Sequence, residues 1–195
     1  MSMKTKVSRP FAIFLSAFLI FLLIAALALS LAERSVKKRR DEREAAVMNA
    51  VLSSCAEFQL PPALLLAVIR AESDFRANAS SSAGALGLMQ ILPETLTFID
   101  TLLSDACYAE KDLLSPEINI RCGACYLDYL QKSFDDLTLV LCAYNAGEGR
   151  VRTWLSDPTL SKDGVLLKIP FPETQNYVNR VYAFFEEYTA KYNLK

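Results

Sequence analysis

The sequence predicts a chiefly α-helical domain behind one apolar N-terminal helix. Residues 11–32 contain neither a charge nor a proline. Downstream, apolar residues recur at helical spacing in stretch after stretch. No long run alternates with period two, so any sheet is expected to be very small.

As a helix, the 11–32 run FAIFLSAFLIFLLIAALALSLA would span roughly 33 Å, against a hydrocarbon core of about 30 Å. Its length favours an uncleaved transmembrane anchor. The basic residues Lys4, Lys6 and Arg9 ahead of it, and Ser30-Leu31-Ala32 at its end, leave a cleaved signal peptide open. Three Lys/Arg residues precede the run and six follow it within ERSVKKRRDERE. By the positive-inside count the C-terminal side should be cytoplasmic.

The chain therefore divides into a short basic tail (1–10), the anchor (11–32), a charged and solvated helical stalk (33–44) and a domain (45–195). Residues 1–44 hold 9 basic and 4 acidic residues, a net of +5. Residues 45–195 hold 12 and 18, a net of −6, and the two sum to the chain's −1. An acidic domain without a basic cluster is a poor nucleic-acid binder. The absence of histidine excludes a Ser-His-Asp triad, a Cys-His pair and any His-ligated metal.

Within the domain, Val47, Ala50, Val51 and Phe58 keep a helical period that Pro61-Pro62 stops. The second proline can open a helix over about 62–73. Further starts are signalled at Pro93-Glu94, Ser115-Pro116-Glu117, Asp135 and Pro172-Glu173. Ile118, Cys122, Cys125 and Tyr129 form one apolar stripe, and Tyr177, Val181, Phe184 and Tyr188 another. Because Cys122 and Cys125 lie on such a stripe, their CxxC reads as packing rather than metal or redox chemistry. A disulfide involving Cys107 stays open. No cofactor and no metal site is expected.

In the helix over 62–73, Leu65, Val68, Ile69 and Glu72 share a face at i, i+3, i+4 and i+7. A carboxylate thus ends a stripe built for the core. Glycines cluster in two short stretches, SAGALGLMQ and AYNAGEG, which suggests turns or a groove lining.

Taken in order, AVIRAESDF, SSAGALGLMQILP, AYNAGEGRV and FPETQNYVNRV resemble the lytic transglycosylases with a soluble-lytic-transglycosylase domain, over about residues 45–190. The resemblance implies a lysozyme-like, mainly helical α+β fold with a very small sheet. It implies cleavage of peptidoglycan glycan strands between N-acetylmuramic acid and N-acetylglucosamine, leaving a 1,6-anhydro end, with the domain facing the cell wall and the membrane run supplying localisation. That placement opposes the Lys/Arg count. Protein partners are not indicated.

The resemblance also implies roles. Glu72 is the single catalytic acid and base. Ser81 binds the substrate's acetamido group. Gly87, Leu88, Met89 and Gln90 line the groove, with Met89 and Gln90 touching sugar. Tyr144 and Asn145 shape the site, although Asn145 could instead cap a helix. Tyr177 orients the carboxyl or the acetamido group, with core packing as its alternative. Asp74 points away from Glu72 and reads as surface or capping, and Glu173 as a first-turn helix residue. Residues 80–82 are Ser-Ser-Ser where relatives often carry a proline.

Overall fold

The computed structural model describes residues 9–104 and 107–193; most of the short basic tail lies outside them. The chain forms two compact units, residues 1–42 and 43–195. One helix, α1 (Arg9–Phe58), covers the apolar run, the charged segment and the residues up to Phe58. No proline or glycine falls between Phe11 and Leu60, so nothing in the backbone interrupts the ladder. In the first unit the large apolar side chains from Phe18 to Leu31 are exposed. The helix is long and apolar enough to cross a membrane, as a membrane anchor or a signal sequence would be.

The second unit contains α2 (Pro62–Ser73), α3 (Pro93–Leu102), a 3₁₀ turn (Glu110–Leu114), α4 (Pro116–Ser133), α5 (Leu137–Ala146), α6 (Glu148–Ser156) and α7 (Pro172–Tyr192). Each of α2, α3, α4 and α7 opens on a proline, whose missing N–H costs nothing in a first turn. The Asp136 side chain, one residue beyond the expected start, accepts from the Thr138 N–H and caps α5. The only sheet among the described residues pairs Ser161–Lys162 with Val165–Leu166, antiparallel, around Asp163-Gly164. Both turn residues have positive φ, as a two-residue hairpin with the right twist requires. Neither this Asp-Gly turn nor α6 was foreseen from the sequence.

The centre of the domain is α2, in which every residue from Ala63 to Ile69 is buried. It packs most extensively on α7. Arg70 locks the two helices: it pairs with Glu187 at 2.7 Å and lies 4.0 Å over the Phe184 ring. Glu44 departs from the solvated character expected of its segment, being 2 % exposed. Its carboxylate accepts from the hydroxyls of Tyr188 and Tyr192 and from the Lys191 ammonium, which ties α1 to the end of α7. Four cysteines, 55, 122, 125 and 142, are buried and all five are free thiols. Burial pushes the Cys122 and Cys142 thiols up to about 12, so they stay protonated and unreactive.

Candidate active site

Glu72 lies in the last turn of α2, where the apolar stripe meets a left-handed exit. Asp74 and Phe75 both have positive φ, 51° and 60°, a costly conformation for consecutive non-glycine residues. Three contacts hold it. The Asp74 N–H donates to the Arg70 carbonyl, the Asp74 carboxylate pairs with Arg43 at 2.9 Å, and the Phe75 ring meets Tyr188 edge-on at 6.3 Å. Asp74 therefore caps the helix and bonds away from Glu72.

Glu72 is half-buried. Burial raises its pKa to about 7, against smaller opposing effects of the Tyr177 hydroxyl and the Arg180 guanidinium. A carboxyl in this range exchanges its proton near neutral pH. Tyr177 is 1 % exposed, and its hydroxyl makes no well-formed hydrogen bond. It nevertheless lies near enough to Glu72 for each to shift the other. Tyr177 thus has its ring in the core and its hydroxyl beside the acid. Arg180, one turn along α7 from Tyr177, was missed in the sequence; its i+3 spacing to Tyr177 is the signal that could have found it.

Tyr144, on α5, is half-buried beside Glu72, whose charge pushes the Tyr144 phenol further up than burial alone. Its hydroxyl donates to the Met89 carbonyl at 2.9 Å. Met89 itself does not line a groove with its side chain. It and Leu88 are both 0 % exposed, so the expected sugar contact of the Met89 side chain gives way to core packing. Its thioether lies against Gly123 of α4 so closely that a Cβ there would clash with the sulfur.

The glycine stretch is held as a rigid loop. Leu86 and Ile91 exchange backbone hydrogen bonds at 3.0 Å, and the Gly87 N–H donates to Ala79 at 2.8 Å. Gly87 has φ +77°, and a Cβ there would strike Asn119 and the Leu113 carbonyl. Asn119 is a fully buried amide on α4 with no signal in its local sequence. It accepts the Met89 N–H at 2.7 Å and donates to Leu86 and Leu113 at 2.9 Å each. The Gln90 amide donates to the Ala79 and Gly87 carbonyls, so its nitrogen serves the loop rather than an open groove. Ser81 is exposed, and its oxygen accepts from the Ala85 N–H at 3.0 Å. Asn145 is half-buried in the last turn of α5; the residue that caps this helix is Gly147, not Asn145. Glu173 is exposed in the first turn of α7.

Glu72, Tyr144, Tyr177 and Arg180 therefore converge from α2, α5 and α7. Residues 50–164 match the transglycosylase SLT domain. The soluble lytic murein transglycosylase of Escherichia coli K12 is 40% identical over 130 residues, which cover 65% of this chain and 20% of that protein. Among solved structures, the 70 kDa soluble lytic transglycosylase of Escherichia coli superposes with a TM-score of 0.67 at 34% identity, over 75% of this chain and 24% of that one. An inactive Glu-to-Gln mutant of the lytic transglycosylase Slt from Pseudomonas aeruginosa gives the same TM-score and identity, over 74% and 24%. This chain thus spans about a fifth to a quarter of the length of these relatives. With its match covering more than half of its residues, the chain belongs to the transglycosylase SLT domain family.

Proposed function

We propose that the chain cleaves peptidoglycan glycan strands at the β-1,4 bond between N-acetylmuramic acid and N-acetylglucosamine, without water, leaving 1,6-anhydro ends. The observation that carries this reading is Glu72, a carboxyl raised to about 7 by burial beside the otherwise unbonded Tyr177 hydroxyl. Two-carboxylate glycosidases need a second acid across the bond. Asp74 is turned to Arg43 instead, which favours a route that uses the substrate's own acetamido group.

In that route Glu72 protonates the leaving glycosidic oxygen while the 2-acetamido oxygen attacks the anomeric carbon. Glu72, now a carboxylate, takes the proton of the C6 hydroxyl. The C6 oxygen displaces the acetamido oxygen, which closes the anhydro ring and returns Glu72 to its acid form. Tyr177 orients the carboxyl or the acetamido group, Ser81 binds the acetamido group, and Gln90, whose nitrogen is held by the loop, offers its amide oxygen to the sugar. Gly87, Leu88 and Met89 serve through backbone shape. The segment 11–32 anchors the domain on the wall side of the membrane, against the Lys/Arg count. A C-terminal reporter that folds only in the cytoplasm would stay dark; if it lit up, the wall-side placement would be wrong.

The test of the reaction is mass spectrometry of peptidoglycan digested by the full chain and by its Glu72→Gln variant. Anhydro-muropeptides from the wild type alone are the expected result. Reducing-end products would instead make the protein a lysozyme-type hydrolase, and no products from a folded wild type would leave a binding or scaffold protein.

A further inference from the structure

Just past Glu72, α2 ends in two consecutive left-handed residues, Asp74 and Phe75. Side chains with a Cβ adopt that conformation only where neighbours hold it. If the exit relaxed, the last turn of α2 would fray, and Glu72 lies in that turn. Core does not back the exit on its outer side. A cavity of about 670 Å³ opens there, with Arg43, Val47, Phe75, Arg76, Asn78 and Glu117 among its lining.

Both exit residues are tied instead to one dipeptide of α1. Arg43 meets the Asp74 carboxylate at 2.9 Å. Glu44, next in the chain, accepts from the Tyr188 hydroxyl at 3.1 Å, and the Tyr188 ring stands edge-on to Phe75 at 6.3 Å. Lys191 and Tyr192 also donate to Glu44. Glu44 therefore has a fixed place, since leaving it would strand buried polar groups. Arg43 and Glu44 precede the stretch matched by the family, residues 50–164, and Tyr188 follows it.

We propose that Arg43 and Glu44 are positioning residues for Glu72: through Asp74, and through Tyr188 and Phe75, they keep the left-handed exit formed and with it the turn that carries the acid. This rests on the reading of Glu72 as the proton donor. A general acid works only within hydrogen-bond reach of its oxygen, and small displacements are costly in rate. The action is on position, because the positive charge that bears on Glu72 is that of Arg180. It follows that the matched stretch does not contain everything that holds the acid in place.

The test compares wild type, Arg43→Met, Asp74→Gly, their double variant and Tyr188→Phe, as full chains in detergent micelles acting on soluble glycan strands. The Arg43 and Asp74 side chains are 34% and 39% exposed, so these variants should fold and their unfolding midpoints should move little. Arg43→Met should lower kcat by about threefold to tenfold with KM unchanged, and the alkaline limb of its pH–rate profile should stay in place. Tyr188→Phe, which keeps the ring and cuts it from Glu44, should act in the same direction. Glycine takes positive φ without support, so adding Arg43→Met to Asp74→Gly should change kcat by less than about twofold. Hydrogen exchange over residues 70–76 should speed up in Arg43→Met and in Tyr188→Phe. With an active wild type, an unchanged kcat, unchanged exchange, an equal loss in the Asp74→Gly background or a shifted alkaline limb would each overturn the proposal. If wild type forms no anhydro ends, the reading of the reaction fails by itself. Exchange then decides the hold on the exit: faster exchange upholds it, and unchanged exchange ends it.

Discussion

The Tyr144 hydroxyl donates to the Met89 carbonyl at 2.9 Å, and that single bond joins the two glycine-bearing motifs of the chain across 55 positions. On one side of it Met89 is anchored by Asn119 and Gly123 of α4. On the other side the Tyr144 ring feels the charge of Glu72. Loop, helix and acid are thereby set relative to one another. Tyr144→Phe keeps the ring and removes the bond, leaving a buried carbonyl with one acceptor contact fewer. It should lower unfolding free energy by about 1 kcal/mol in denaturant titrations, and kcat by roughly tenfold on the proposed mechanism.

Arg180 tests the electrostatics of the acid. Its positive charge favours the carboxylate form of Glu72. Arg180→Met should therefore raise the pKa of Glu72, and with it the alkaline limb of the pH–rate profile. Wild type should lose activity as pH rises through about 7, since the first step needs the protonated acid. A limb that moves to lower pH, or does not move, would contradict the assignment.

Glu72 should also be visible in stability. Its folded pKa of about 7 exceeds the ordinary 4.5, so the folded state holds the proton more tightly than the unfolded one. Any stability from this preference is complete below pH 4.5 and is lost as pH rises through 7. Glu72→Gln removes the titration. The variant should be more stable than wild type above pH 7, by on the order of 1–3 kcal/mol, with the gap closing toward pH 4.5. Melting temperatures of both proteins across that range would reveal it.

Gly123 is a packing requirement rather than a turn. A methyl group there meets the sulfur, Cε and Cβ of Met89. Gly123→Ala should cost about 1–3 kcal/mol by overpacking, despite the higher helix propensity of alanine. Met89→Leu, which ends in smaller branches, should recover part of that loss in the double variant; strict additivity in denaturation would show that the two residues do not share the space.

Much of this was legible in the chain. The proline-led starts of α2, α3, α4 and α7 are local signals, because a proline's fixed φ and missing N–H act on its own turn whatever lies around it. The stripe ending in Glu72 marked an acid at the edge of the core, since helical periodicity alone decides which residues share a face. The cysteine stripe was readable for the same reason. In contrast, Asn119 gave no local sign. Its three hydrogen bonds reach segments as much as 33 positions away, and an isolated helix would leave its amide in water.

Sequence by itself determined the helical class, the apolar run at the N-terminus, the acidic domain and the candidate acid, because each depends on composition or on neighbours within a turn or two. Only tertiary structure decided that Met89 turns into the core while its carbonyl serves Tyr144, that Glu44 is buried under the end of α7, and that Arg180 acts on Glu72. Those outcomes depend on which helices meet and how closely. Close packing fixes them through contacts between residues far apart in the chain, and local propensity carries no record of such contacts.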